Sequence, residues 1–346
     1  MSWYNTKGPY SDFVLFSKAR YIRNIAKQPF DPIGSSKRGD EPAARLDSLL
    51  SKSGFRCDRL PVGVTPALLA LAEKQFVERD LVYSDRPRAL YLNEPCNLVI
   101  ATGGGDFLSI SSILAGASVG EARNMAAGAE ELIDREIAFA YLEGVGYLSP
   151  DPANCGSGLS LTSALYLPSL RRSDLAPSLL SSLSRVGMTL RPAFCGRDES
   201  DLYTLSYSPH PLCDEESAVK HFSDTVISII EDEKRRLGMI IKNKDKTIFE
   251  SARRALGILL YSPSLSEGEM LRLLSDIRLC HCVGGGFPSD ALPSVQTLNY
   301  LSAEGLSASV ISSSKEKCGS LADVERARAI LASSYIEHTN EVKNVK

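Results

Sequence analysis

The side chains best suited to chemistry sit in a few places along the chain. Lys18, Arg20, Arg23 and Lys27 follow the apolar run Phe13-Val14-Leu15-Phe16. A few placed cations of this kind are what phosphate chemistry needs. Gly103-Gly104-Gly105-Asp106 has the glycine content of a phosphate loop, but no Gly-Lys-Ser/Thr follows, so it reads as a loop. Cys280-His281-Cys282 offers thiolate and imidazole donors, yet i,i+2 ligands without a second pair are not zinc spacing. Ser312 and Lys315 match a Ser-x-x-Lys nucleophile pattern, but in a serine-rich stretch without partner motifs. The run from Gly144 to Gly158 carries Asp151, Asn154, Cys155, Gly156 and Gly158. So many turn formers describe an ordered loop, and such loops often bear function. Gly156 and Gly158 read first as turn formers, because glycine takes backbone angles that other residues avoid.

The elements that must hold these residues are legible in outline. A helix is expected to start at Thr65-Pro66, with Thr65 as cap and Pro66 in the first turn. Ala89–Leu92 and Leu98–Ala101 read as strands around a polar turn, and residues 120–138 as a helix. Leu183–Met188 and Leu202–Tyr207 bracket an expected hairpin region. Asp214 caps a helix with a stripe of Val219, Phe222, Val226, Ile229 and Ile230, expected to end at Gly238. Beyond residue 245, Ala252–Leu260, Glu267–Leu274 and Leu321–Ile336 read as helices. Helices interleaved with isolated strands and hairpins imply an α+β fold, with residues 1–245 as one domain and 246–346 as a helical C-terminal domain.

Composition limits the functions available. The chain has 346 residues, of which 43% are hydrophobic and 23% charged, as in a globular protein. Thirty-nine Lys+Arg against 42 Asp+Glu give a net charge of -3, so no general nucleic-acid or membrane-surface binding is expected. No apolar run reaches the ~18 residues of a membrane span, and the start lacks a signal-peptide core. The expected location is cytoplasmic, with the eight dispersed cysteines reduced.

Several segments resemble, in order, the ATP:guanido phosphotransferases (the phosphagen kinase superfamily), and the bacterial protein-arginine kinases in particular. Val14-Leu-Phe-Ser-Lys18-Ala-Arg20-Tyr-Ile-Arg23-Asn24 is similar to that family's opening "VLSSRIRLARN". Phe76–Ser84 resembles "LVEKHLIS", and Gly146–Leu159 tracks "GYLTSCPTNVGTGL". Arg254–Leu259 and Leu274–Leu279 resemble "RSYGIL" and "LSDVRL". The resemblance implies an antiparallel sheet flanked by helices, a guanido phosphotransferase-like catalytic domain over 1–245, and a C-terminal domain that dimerises. It also implies transfer of a phosphoryl group between ATP-Mg and a guanidinium nitrogen, where catalysis is mostly positioning and charge stabilisation.

The family's phosphate-binding arginines, catalytic carboxylate and substrate cysteine carry over only in part. Arg20 and Arg191 match two of the five nucleotide-binding arginines, and Lys18 stands at a third, keeping charge without the bidentate fork. Val99 and Ser160 occupy the other two positions. The carboxylate position falls on Pro95, with Glu94 beside it, and the cysteine position falls on Asp151. Asn154, Gly156 and Gly158 keep the loop. Losing two charge-assisted contacts costs about 3–6 kcal/mol, or on the order of 10²–10⁴ in affinity. The resulting expectation is a protein-arginine kinase-like chain with a degraded site, a pseudokinase acting through protein interaction. The alternative is an active kinase of protein arginine groups, needing ATP and Mg, with Lys18, Arg20 and Arg191 on the phosphates and Glu94 or Asp151 as base. By the same resemblance the partners would be a second copy in a homodimer, an active kinase, its zinc-binding activator protein or a Clp chaperone-protease. Val324–Ala329 aligns with the family's phosphoarginine-binding "RDxxRA", with Glu325 and Arg328 as its ligands; the alternative is an amphipathic helix with Arg326 and Arg328 solvated.

Overall fold

Central strands buried on both faces and helices with single apolar stripes make up the computed structural model. It describes residues 3–28, 30, 40–60, 62–63, 65, 68, 71–72, 74–84, 86–172, 176–192, 201–211, 213–243, 246–283 and 321–341. The strands are β1 (Val14–Arg23), β2 (Arg56–Leu60), β3 (Arg88–Leu92), β4 (Leu98–Thr102), β5 (Leu108–Ala115), β6 (Tyr141–Leu142), β7 (Gly146–Tyr147), β8 (Leu159–Tyr166), β9 (Met188–Pro192) and β10 (Leu202–Tyr207). The helices are α1 (Asp40–Lys52), α2 (Arg79–Val82), α3 (Val119–Asp134), α4 (Pro168–Arg171), α5 (Ala176–Arg185), α6 (Glu215–Asn243), α7 (Lys246–Tyr261), α8 (Glu267–Cys282) and α9 (Leu321–Glu341).

Eight strands form one sheet in the order β2-β3-β4-β5-β1-β8-β10-β9, with β6 and β7 as a separate hairpin. β1 is buried along almost its whole length, whereas β2 and β9 at the edges are largely exposed. Antiparallel pairing aligns Arg20 with Ser111 and Ser111 with Val99. The α+β fold, an antiparallel sheet flanked by helices, is thus the one expected.

Two compact units divide the chain. One takes in the described residues of 1–9, 16–163 and 206–225; the other takes in those of 10–15, 164–205 and 226–346. These units interleave along the sequence, whereas the expected division at residue 245 is linear. In the first, α3 packs on β5 through Val119, Ala122, Ala126, Ala129 and Ile133, a helical-period stripe. In the second, α7 packs on α8, and Leu237, Ile248, Ala252, Leu279 and Cys280 form a buried cluster.

Three local expectations need correction. Leu183 lies on α5, so the hairpin's first strand begins only at Met188. The leucines at 179, 180 and 183 have helical rather than alternating spacing. α6 runs through Gly238 to Asn243. Burial of Leu237 and Ile240 on either side outweighs the ~1 kcal/mol a mid-helix glycine costs. On α6, Ala218 rather than Val219 is fully buried. The expected caps are present: Ser217 N–H donates to Asp214 at 2.8 Å, and Leu68 N–H to Thr65 Oγ1 at 3.3 Å.

Candidate functional site on the sheet face

Lys18 and Arg20 are two residues apart on β1 and so project from the same face of the sheet. Lys18 is buried. Its ammonium is ion-paired with Glu78 and donates to the carbonyl of Gln75 at 3.1 Å. Gln75 adopts a left-handed backbone (φ 64°), which turns the chain so that Glu78 follows over the sheet. Arg20 Nη1 lies 4.0 Å from the second oxygen of Glu78. One carboxylate therefore meets two of the three cations that were expected to hold phosphate. Burial alone would raise the Glu78 carboxyl, but the charges of Lys18 and Arg20 outweigh it and hold the pKa at about 2. Sequence reading placed the Glu78 segment but missed its role, because the pairing spans 60 residues.

The same face carries a small cavity lined by Ile22, Phe76, Glu78, Val99, Ser109 and Ser111, among others. Its volume is about 20 Å³, enough for about one water molecule. Val99 is 1% exposed in the row that also holds Ser111 and Arg20. An apolar side chain thus fills the place where the resemblance expects another phosphate-binding arginine.

Glu94 does not join this face. It is exposed, in the turn between β3 and β4, not beside a position within a strand. That turn is closed by Asn93, whose Oδ1 accepts from the N–H groups of Asn97 and Leu98 at 3.1 and 3.0 Å. Asp151 is also exposed, and its carboxylate accepts from Ala153 N–H at 2.9 Å, capping the short helical turn Pro152–Asn154. Asn154 donates to Asp106 at 3.0 Å. Asp106 further accepts from Asn24 at 2.7 Å and Ser149 at 2.6 Å, so it fixes two loops together and lines the cavity. The glycine run before it reads as a flexible loop in sequence; nothing local to it reveals this carboxylate's three donors.

Gly156 and Gly158 position the loop. Gly156 has φ 93°, and a Cβ there would lie 2.4 Å from Pro211. The carbonyl of Gly158 accepts from Ile22 N–H at 3.0 Å. Beside it Arg23 is fully buried: it donates to Glu130 and to the carbonyls of Ile22 and Ser157, each at 2.8 Å, and lies 3.5 Å over the Tyr147 ring. Arg23 therefore secures the loop from within.

In the second unit, Arg191 is exposed on β9. Arg328 is 1% exposed on α9 and donates to the carbonyl of Leu265 at 2.7 Å, while Leu265 N–H donates to the carbonyl of Glu325 at 3.0 Å. Of the two arginines that the amphipathic alternative leaves solvated, Arg326 is exposed but Arg328 is not. It ties α9 to the residue just before Ser266, the N-cap of α8. Among the described residues no group of three or more His, Cys, Asp or Glu is placed to hold a metal ion. Ser312 and Lys315 lie outside the described residues, as do Cys195 and Cys318. No helix among the described residues is long and apolar enough to cross a membrane.

This sheet and its flanking helices define a guanido kinase fold. A lombricine kinase structure matches it with a TM-score of 0.55 at 18% identity, over 66% of this chain and 68% of that one. The duplicated taurocyamine kinase from Schistosoma mansoni, with bound transition state analogue components, matches with a TM-score of 0.57 at 16% identity. There the match covers 78% of this chain and 42% of the other, so this chain spans less than half of that duplicated protein. The model of the ATP:guanido phosphotransferase C-terminal catalytic domain matches residues 67–236. Among curated relatives, the protein-arginine kinase of Halothermothrix orenii is 26% identical over 285 residues, covering 80% of this chain and 81% of its own. That of Caldanaerobacter subterraneus subsp. tengcongensis is 28% identical over 276 residues, covering 78% and 82%. The chain is thus similar to the ATP:guanido phosphotransferases, with protein-arginine kinases among its relatives.

Proposed function

We propose that this chain is a protein-arginine kinase-like pseudokinase that has lost phosphotransfer and acts through protein interaction. The observation that carries this reading is Glu78, which pairs with Lys18, lies 4.0 Å from Arg20 and so offsets one of their two charges. A triphosphate would have to displace that carboxylate from a buried lysine, an exchange of one anion for another with little net gain. Val99 and the small cavity beside it support the same reading, since an apolar side chain stands in the row of Arg20 and the space beside it holds about one water. Glu94 and Asp151 support it too. Both are exposed, and Asp151 is committed to a backbone cap, so neither is held as a general base must be.

The test is calorimetric titration with ATP-Mg, alongside an arginine-phosphorylation assay on a protein substrate. The expected result is no binding at millimolar nucleotide and no phosphoarginine. Turnover that is abolished by Arg20→Ala would overturn the proposal and establish ATP and Mg as its cofactors. Interaction is read by light scattering of the chain alone and with an active protein-arginine kinase, its zinc-binding activator or a Clp chaperone-protease. A strictly monomeric chain that binds none of them would count against the interaction role.

A further inference from the structure

A second cavity lies between α7 and α8, within the helical unit. Its volume is about 270 Å³, well above the ~150 Å³ that suffices for a benzene-sized ligand. Thr247, Glu250, Ser251, Arg254 and Ile258 recur at helical spacing and so form one wall from a single face of α7. Arg272, Leu273 and Asp276 form the other wall. Ala255 and Leu273 are buried and make an apolar floor.

The charges around it are unevenly committed. Asp276 is buried, and its carboxylate is paired with Arg172 at 3.2 Å. Among the described residues, Arg254 and Arg272 have no ion-pair partner, although Asp276 lies one turn from Arg272. Two guanidinium groups therefore border one concave, partly apolar space whose carboxylates, among the described residues, are Glu250 and the Arg172-paired Asp276. Guanidinium forks bind planar and tetrahedral oxyanions bidentately, and they do so most effectively where walls exclude water. The hydroxyl of Ser251 adds a donor of the kind that orients such a group.

We propose that the cleft between α7 and α8 is a binding site for a small oxyanion, the phosphate or carboxylate of a small molecule, clamped by Arg254 and Arg272. The site shares no residue with the sheet face or with Glu325 and Arg328, and it stands whether or not the chain transfers phosphate. The experiment titrates the full chain with inorganic phosphate and, separately, with succinate, each to about 20 mM, past the millimolar range of weak ligands. Binding is read from amide chemical shifts and from thermal stabilisation. The expected result is saturable binding of at least one anion. It should weaken at least tenfold in Arg254→Ala/Arg272→Ala and tighten several-fold in Glu250→Gln. Exposed Arg56→Ala should leave it unchanged, which separates a site from general charge. Phosphate binding without succinate binding would identify a phosphate site, and the converse a carboxylate site. No saturation by either anion, or equal binding by the folded double variant, would overturn the proposal; far-UV circular dichroism establishes that the variant is folded.

Discussion

Removing the Glu78 carboxylate tests the centre of the sheet face most directly. Lys18 is 7% exposed in its side chain, and Glu78 is 35% exposed. A carboxyl held at about 2 rather than 4.5 corresponds to about 3 kcal/mol at about 1.4 kcal/mol per decade. Glu78 is more than a third exposed, so solvent screening brings the expectation to about 1–2 kcal/mol. Glu78→Gln should lower the urea unfolding free energy by that amount at pH 7, because Lys18 remains buried without its partner charge. Lys18→Met should cost less, since Glu78 keeps Arg20 at 4.0 Å and its contact with water. The double variant should recover part of the loss, giving a coupling energy of about 1 kcal/mol in the cycle. The pH dependence has a fixed sign. A depressed carboxyl stabilises above the unfolded value of 4.5 and loses that contribution as pH falls through about 2. The gap between wild type and Glu78→Gln should therefore narrow across that window. A coupling energy indistinguishable from zero, or a gap that widens on acidification, would refute the pairing as the dominant charge on this face.

Glu233 has the opposite sign: burial pushes its carboxyl up to about 6, against the lowering by two hydrogen bonds from Ser169 at 2.6 Å each. Its contribution is present below pH 4.5 and lost as pH rises through about 6, so Glu233→Gln should remove up to ~2 kcal/mol of declining stability across that interval in a denaturation series. Gly156→Ala should destabilise by about 2–4 kcal/mol, from left-handed backbone strain and the clash with Pro211, read as a lower thermal midpoint. Arg328→Ala should cost about 2–3 kcal/mol and increase amide exchange at the start of α8, since the Leu265 carbonyl loses its buried donor; unchanged exchange would reject that role.

Local signals carried much of the fold. The strands at 88–92 and 98–102 follow from β-branched and aromatic runs around a polar turn, and the start of α6 follows from Asp214 ahead of an apolar stripe. Motif order set Lys18, Arg20 and Val99 at three phosphate-binding positions, while strand pairing alone reveals that Lys18 and Arg20 share a face of β1 and that Val99 lies in the row of Arg20 through Ser111. What escaped was set by distant partners. Glu78 meets Lys18 across 60 residues, and Asp106 meets Asn24 across 82. Gly238 carries the local signature of a stop, yet packing on both sides carries the helix through it. Arg328 looked like a surface or ligand-binding arginine because a helical period does not reveal that a carbonyl of another element waits at 2.7 Å.

Val99 also constrains how this sequence can change. Arginine is several methylene-sized groups larger than valine, and the space beside Val99 holds about one water. Arginine substituted at that position alone would press on Phe76 and Leu81, which line the same space, and would add a cation to the row that holds Ser111 and Arg20. Repacking of that kind costs typically 1–3 kcal/mol before any new contact forms. Packing therefore opposes an arginine at residue 99 before any charge can act, so this stretch of sheet is shaped around an apolar side chain.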